Sequence, residues 1–296
     1  MEHTDLCGTG VALVTPFNKK GGVDFKALET LVNHVIHGGV EYLVVMGTTG
    51  ESVTVGNDEK KEIIDCILNV NNNQLPIVFG IGGYNTMEVC DQINRTDLSQ
   101  INCILSVSPY YNKPNQEGIF QHYKYLSDNC NVPIILYNVP GRTGKNIEAS
   151  TTLRLARECE NIVAIKEASG NLTQIMSIIK DKPDHFKVIS GDDAMTYPMM
   201  TLGGCGVISV IANAFPSQFA NMVHFAQDDN LDEARKIHYQ LLELIGLIFK
   251  EGNPAGIKAV LSILGIADDI VRLPLVPVSK ELFSLIEKQV KIINEL

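Results

Sequence analysis

Eight short apolar runs recur up to about residue 228, each followed by a segment with helical periodicity. They cover residues 10–17, 42–46, 76–81, 103–107, 133–137, 162–166, 186–190 and 205–210. Each is rich in Val, Ile and Leu and is bounded by Gly, Pro, Asn or Ser. Apolar on both faces is the pattern of a strand in a parallel sheet covered by helices. In residues 24–37, Phe25, Leu28, Leu31, Val32 and Val35 fall on one helical face. Residues 58–70 carry a similar stripe of Ile63, Ile64, Ile67 and Leu68. Eight strands, each with a helix after it, predict an α/β chain folded as a (β/α)8 TIM barrel. Periodicity does not show closure, so a doubly wound open sheet stands as the alternative.

Beyond residue 228 the strand pattern stops, and residues 230–250, 254–264 and 280–294 read as three helices. The expected organisation is a barrel catalytic domain over 1–228 and a C-terminal helical region over 229–296. Charge narrows the partners: 24 basic against 34 acidic residues give −10, which argues against a nucleic-acid or anionic-membrane surface. The seven cysteines are dispersed without a C-x-x-C pair and read as small buried hydrophobes. Residues 1–10 lack an apolar signal core, and no long uncharged apolar run occurs, so the expected compartment is the cytoplasm.

In a barrel, chemistry sits at the C-terminal ends of the strands. The sixth run leads straight into Lys166. An amine at the mouth of an apolar strand is a candidate nucleophile, since leaving water favours the uncharged form of an amine. The same lysine could instead snorkel to solvent or pair with Glu167. The fifth run ends in Tyr137 and continues into a Gly/Pro-shaped loop holding Arg142. A tyrosine there can relay a proton and an arginine can grip a carboxylate, although, taken alone, a core tyrosine and a solvated loop arginine are the favoured readings. The second run ends in Gly47-Thr48-Thr49-Gly50-Glu51, either an anion cradle of hydroxyls and backbone N–H groups or a plain turn before a helix. The fourth ends in Ser108-Pro109-Tyr110-Tyr111, where the tyrosines are relay or rim-packing groups.

Together these strand ends suit an imine-forming site for a keto acid. Competing chemistries lack their signatures: there is no H-E-x-x-H, no Gly-x-Ser-x-Gly elbow, and residues 141–145 lack P-loop spacing. His34 and His37 share a helix face but fit solvated positions better than a metal site. Asp192 and Asp193 are better placed to cap the next helix than to hold a cation.

At these residues the chain resembles the dihydrodipicolinate synthase family of the pyruvate-aldolase superfamily. The resemblance spans essentially the whole chain, through GTTGES (47–52), SPYYNKP (108–114), YNVPGRTG (137–144), IKEASGN (165–171) and SGDD (190–193). It implies condensation of pyruvate with L-aspartate-4-semialdehyde, a step of lysine and diaminopimelate biosynthesis, with no metal or organic cofactor. By the same resemblance Lys166 forms the Schiff base, and Tyr137, Thr48 and Tyr111 relay protons, Tyr111 reaching into a neighbouring subunit. Thr49 contacts the pyruvate carboxylate and Arg142 receives the semialdehyde, while the backbone of Gly191 and Ile208 lines the pocket. The implied assembly is a homotetramer, a dimer of dimers. N-acetylneuraminate lyase and keto-sugar-acid aldolases share the imine chemistry, and a catalytically silent keto-acid-binding barrel is a third reading. The GR pair in VPGRT favours the synthase over the sialic-acid lyases, and an intact relay speaks against the silent barrel. One departure stands out: Asn57 and Lys60 occupy positions where lysine-inhibited members carry histidines. Tyr84 also replaces a common asparagine, although Glu88 and Tyr110 match. A like charge beside the effector's ammonium predicts weak or absent lysine feedback.

Overall fold

The computed structural model describes residues 6–295. The polar N-terminal stretch read for the absence of a leader therefore lies, at residues 1–5, outside the described residues. Eight parallel strands close into a barrel in the order β1 to β8. They are β1 (Gly8–Ala12), β2 (Tyr42–Val45), β3 (Ile77–Gly80), β4 (Cys103–Val107), β5 (Ile134–Asn138), β6 (Ile162–Glu167), β7 (Lys187–Ser190) and β8 (Gly206–Ser209). Closure decides against the open sheet.

The crossovers carry α1 (Phe25–His37), α2 (Asn57–Asn71), α3 (Thr86–Arg95), α4 (Gln116–Asp128), α5 (Pro140–Thr143), α6 (Ala149–Glu158), α7 (Leu172–Asp181) and α8 (Asp193–Thr201). After β8 come a 3-10 turn (Ile211–Asn213), α9 (Pro216–Gln227), α10 (Leu231–Lys250), α11 (Ala255–Ile263) and α12 (Lys280–Asn294). Helix starts follow their capping chemistry: the Asp24 carboxylate accepts from the Ala27 amide at 3.0 Å, and Asp192 accepts from Ala194 at 3.0 Å. The capping expectation for Asp192 thus holds.

Two boundaries differ from the sequence pattern. The first apolar run pairs over Gly8–Ala12 rather than 10–17. Its second half stays buried, but its partners change. Leu13 still donates to Val44, whereas Val14 donates to the Asn213 side chain and the Thr15 hydroxyl to the Gly50 carbonyl. Hydrophobicity alone does not distinguish ladder bonds from such loop bonds. The second difference is at residues 140–143, expected as loop, which form the helical turn α5 with Pro140 at its start and Gly144 in the left-handed region.

Contacts group the chain into two compact units. One comprises the segment to Gly8 with Pro76–Ile208, the other Thr9–Leu75 with Ser209–Leu296. In the first, β3 to β8 pair in sequence, with Val107 beside Tyr137, Tyr137 beside Lys166, and Lys166 beside Ile189. In the second, β1 pairs with β2, and α12 packs on α10 and α11. The buried stripe of α1 is Leu28, Leu31, Val32 and Val35, and α12 buries Leu282, Ile286, Val290 and Ile293. Four of the seven cysteines are buried, and all seven are free thiols. Among the described residues no helix is long and apolar enough to cross a membrane.

Candidate active site

Parallel pairing brings the ends of β5, β6 and β7 side by side. Register places Tyr137 next to Lys166, so both side chains project from the same face of the sheet. Lys166 is 5 % exposed, and its Nζ lies 4.4 Å from the centre of the Tyr137 ring. Gly191 follows β7 on the same face, and the missing side chain has a clear consequence. A Cβ there would stand 2.9 Å from Lys166 Cε and 3.0 Å from Cγ. Glycine is what leaves the lysine side chain its room. Ile208, on β8, is buried two residues beyond Gly206, which pairs with Ile189. The structure therefore gathers Lys166, Tyr137, Gly191 and Ile208 at one end of one face.

Lys166 does not pair with Glu167. The pleat sends the carboxylate to the opposite face, where it accepts from the Asn138 amide, the Ser169 hydroxyl (2.6 Å) and Gln174 (3.3 Å). Asn138 also donates to Asn146 at 2.8 Å and accepts from the Ile147 amide at 2.9 Å; Asn146 in turn donates to Gln174 at 2.7 Å. Burial pushes the Glu167 carboxyl above the usual range, and its hydrogen bonds oppose that rise. The lattice ties β5, β6 and α7 together directly behind the lysine. Sequence reasoning missed it, although two consecutive polar residues at each strand end, Tyr137-Asn138 and Lys166-Glu167, were its signal.

Tyr111 and Arg142 are exposed, unlike the buried Lys166 and Tyr137. Tyr111 is 88 % exposed, with a left-handed φ of 67°. Arg142 is exposed on α5. Their loops touch: the Lys113 side chain lies over Gly144, where a Cβ would meet its Cε at 2.7 Å. The Asn112 amide donates to the Tyr84 carbonyl at 3.0 Å, and the Tyr84 and Tyr110 rings meet edge-on at 5.4 Å. Tyr110 is the packing residue of the pair and Tyr111 the projecting one.

The second unit carries the GTTGES segment. It is a turn, with Gly50 N–H donating to Gly47 (3.1 Å) and Glu51 N–H to Thr48 (3.1 Å). Those two amides are therefore spent on the turn, which leaves a cradle at this strand end to the hydroxyls and N–H groups of Thr48 and Thr49. Thr48 is half-buried. Thr49 is buried and accepts at Oγ1 from the Asn253 amide at 2.9 Å. Glu51 and Lys258, both wholly buried, form an ion pair, and the Arg272 amide donates to Glu51 at 3.0 Å. The Arg272 guanidinium bonds Glu59 at 2.6 and 2.8 Å. These partners from the C-terminal region were also missed; a lone lysine inside the apolar helix α11 was the available sign.

Among the described residues no group of three or more metal-ligating side chains exists. A cleft of about 350 Å³ along α4 is lined by Thr86, Gly118, Gln121, His122 and Tyr125, and these include none of the predicted site residues.

The match to known proteins is consistent with this geometry. The dihydrodipicolinate synthetase family model aligns with residues 5–293. The chain belongs to this family. A 4-hydroxy-tetrahydrodipicolinate synthase from Flavobacterium psychrophilum is 52% identical over 275 residues, 93% of this chain and 94% of its own. A monomeric dihydrodipicolinate synthase variant superposes with a TM-score of 0.95 at 37% identity, covering 98% of this chain and 97% of its own. The lysine-bound enzyme from Cyanidioschyzon merolae gives a TM-score of 0.94 at 35% identity, covering 100% of both chains.

Two outcomes follow for this family member. Gly191→Ala crowds Lys166 at Cε and Cγ, and for the imine-forming role that the resemblance implies for Lys166, misplacement by about 1 Å costs roughly 10²-fold. Trapping of a keto acid on Lys166 should slow by that order while the melting temperature stays near wild type; unchanged trapping would show that the room left by Gly191 does not matter. The second concerns acid stability. Arg272 holds the Glu59 carboxyl down to about 2, so its stabilisation is complete above the unfolded value near 4.5 and is lost as pH falls through about 2. In urea titrations wild type should exceed Glu59→Gln at pH 7, with the gap closing only below about pH 4.5. A gap that ignores pH would exclude the ionic origin.

Proposed function

We propose that the chain condenses pyruvate with L-aspartate-4-semialdehyde through a Schiff base on Lys166, the 4-hydroxy-tetrahydrodipicolinate synthase reaction of lysine and diaminopimelate biosynthesis. The observation that carries the reading is the buried Lys166 amine beside the Tyr137 ring, with room for its side chain left by Gly191. Catalysis is assigned to residues 1–228 and support to 229–296.

Lys166 attacks the pyruvate ketone carbon as its free amine, giving a carbinolamine. Tyr137, with Thr48 and Tyr111 as fellow relay groups, supplies the proton with which the hydroxyl leaves as water. The resulting protonated imine is an electron sink, so a methyl proton is lost and an enamine forms. Its carbon adds to the semialdehyde carbonyl, which takes up a proton. The amine of the bound semialdehyde then attacks the imine carbon, closing the ring and expelling Lys166 by transimination. The lysine thus supplies the electrophilic catalysis without a metal or organic cofactor.

Thr49 binds the pyruvate carboxylate, with the backbone of Gly191 and Ile208 along the pocket. Arg142, exposed on a short rigid turn, receives the carboxylate of the semialdehyde, for which a planar guanidinium is suited. The exposed ring of Tyr111 supports a homotetramer in which that residue serves a neighbouring subunit. Seven free thiols support a cytoplasmic setting.

Incubation with pyruvate and borohydride should place one reduced adduct on Lys166 by peptide mapping, and none on Lys166→Ala. An unmodified Lys166 in folded wild type would sink the reading. Arg142→Ala should leave that adduct intact while lowering kcat/KM for the semialdehyde roughly 30- to 100-fold, the worth of a charged hydrogen-bonded contact. Equal loss in both assays would remove the specificity role of Arg142.

Feedback by lysine is expected to be weak or absent. Burial pulls the Lys60 ammonium down from its ordinary value, so a second ammonium beside it meets a desolvated like charge. Millimolar L-lysine should leave the rate unchanged, and strong inhibition would refute this.

A further inference from the structure

We propose that the C-terminal helical region orients the substrate-binding hydroxyl of Thr49, with Asn253 and Lys258 as positioning residues. This rests on the reading of Thr49 as the pyruvate-carboxylate contact. Asn253, just ahead of α11, donates its side-chain amide to Thr49 Oγ1 at 2.9 Å. An oxygen that accepts a hydrogen bond turns its own proton away from that donor. The Thr49 hydroxyl is thereby set to donate, which is what an anionic carboxylate requires, since it can only accept.

The backbone around Thr49 needs a second support. Met46 and Glu51 bracket the turn, with φ of 58° and 54°, a region that residues bearing a Cβ rarely occupy. Such conformations persist where surrounding contacts over-determine them. Glu51 is held from both sides. Its carbonyl accepts from the Thr54 amide (2.9 Å) and hydroxyl (3.0 Å). Its carboxylate accepts from Lys258 Nζ and from the Arg272 amide (3.0 Å).

Lys258 is in turn fixed by the Ile270 carbonyl at 2.8 Å and by the Phe17 ring, whose centre lies 4.2 Å from Nζ. The Arg272 guanidinium lies 4.2 Å from the centre of the same ring and donates to the carbonyls of Gly21 and Thr54. Asn253 therefore sets the direction of the hydroxyl, and Lys258 sets the turn that presents it.

The test measures the pyruvate concentration that half-saturates adduct formation on Lys166. Asn253→Ala should raise it roughly five- to tenfold, the worth of one buried hydrogen bond, with KM for the semialdehyde changed less than twofold. In a Thr49→Val background Asn253→Ala should add nothing. Lys258→Met, if folded, should also raise the pyruvate requirement; the Asn253 series decides the matter if it is not. Ile286→Ala, which only removes packing from α12, should lower the melting temperature and leave half-saturation unchanged.

Wild type that traps pyruvate, with Asn253→Ala indistinguishable from it, would overturn the positioning role alone. So would full additivity with Thr49→Val, or an equal effect from Ile286→Ala. Wild type that traps no pyruvate would overturn the functional reading and this inference with it.

Discussion

A parallel strand must be followed by a crossover, so strand ends of one polarity gather together. In this chain, register turns that general rule into a site. Tyr137, Lys166 and Ile189 are neighbours across three strands because the β5–β6 and β6–β7 pairings align them. A shift of one residue would send Lys166 to the helix-covered face and bring Glu167 in its place. The chemistry proposed for the chain depends on that register more than on any single contact. The register irregularity between Ile134 and Ile135 lies at the opposite end of β5, away from the lysine.

What pins the register is polar. Asn138 and Glu167, each one residue beyond a site residue, are paired across β5 and β6 and bonded to one another. Ser190 extends the row on β7, where its hydroxyl donates to the Asp192 carbonyl at 2.9 Å and accepts from Thr196 at 3.0 Å. A buried carboxylate is costly unless its lone pairs are used, and Glu167 has three side-chain donors. A slipped strand would break the bond from Asn138, leaving the buried acid one donor short. The helix-covered face therefore specifies the one that carries Lys166 and Tyr137.

Much of this is legible in the sequence. Apolar runs located all eight strands, because strands covered by helices must be apolar throughout, and the C-terminal helices followed from Pro and Gly punctuation. What failed was partner choice. Val14 and Thr15 look like strand because they are equally buried, yet they bond to an asparagine side chain and a loop carbonyl. Residues 140–143 look like loop because Pro and Gly flank them, yet that pair also starts and ends a single helical turn. Lys166 and Tyr137 stand out because a polar side chain interrupts an apolar strand end, whereas Gly191 came only from the family resemblance. Asn253, Lys258 and Arg272 do not stand out, because their partners Thr49, Glu51 and Glu59 lie more than 200 residues away, and no local pattern encodes such pairing.

That distance gives the buried Lys258–Glu51 pair its meaning. Such pairs are poor sources of stability, since desolvation consumes most of the attraction and a well-packed apolar pair would serve as well. Burial pulls the Lys258 ammonium down to about 8 even with Glu51 opposing the shift. A methionine at 258 would fill similar space in α11 without that cost. It would not fix where the Glu51 carboxylate sits, nor the left-handed backbone at Glu51 that closes the turn carrying Thr48 and Thr49. Direction is what a charged hydrogen bond adds to packing. By that criterion the helical region after residue 228 is scaffold for the GTTGES turn, and its three polar anchors are better judged by what they orient than by what they stabilise.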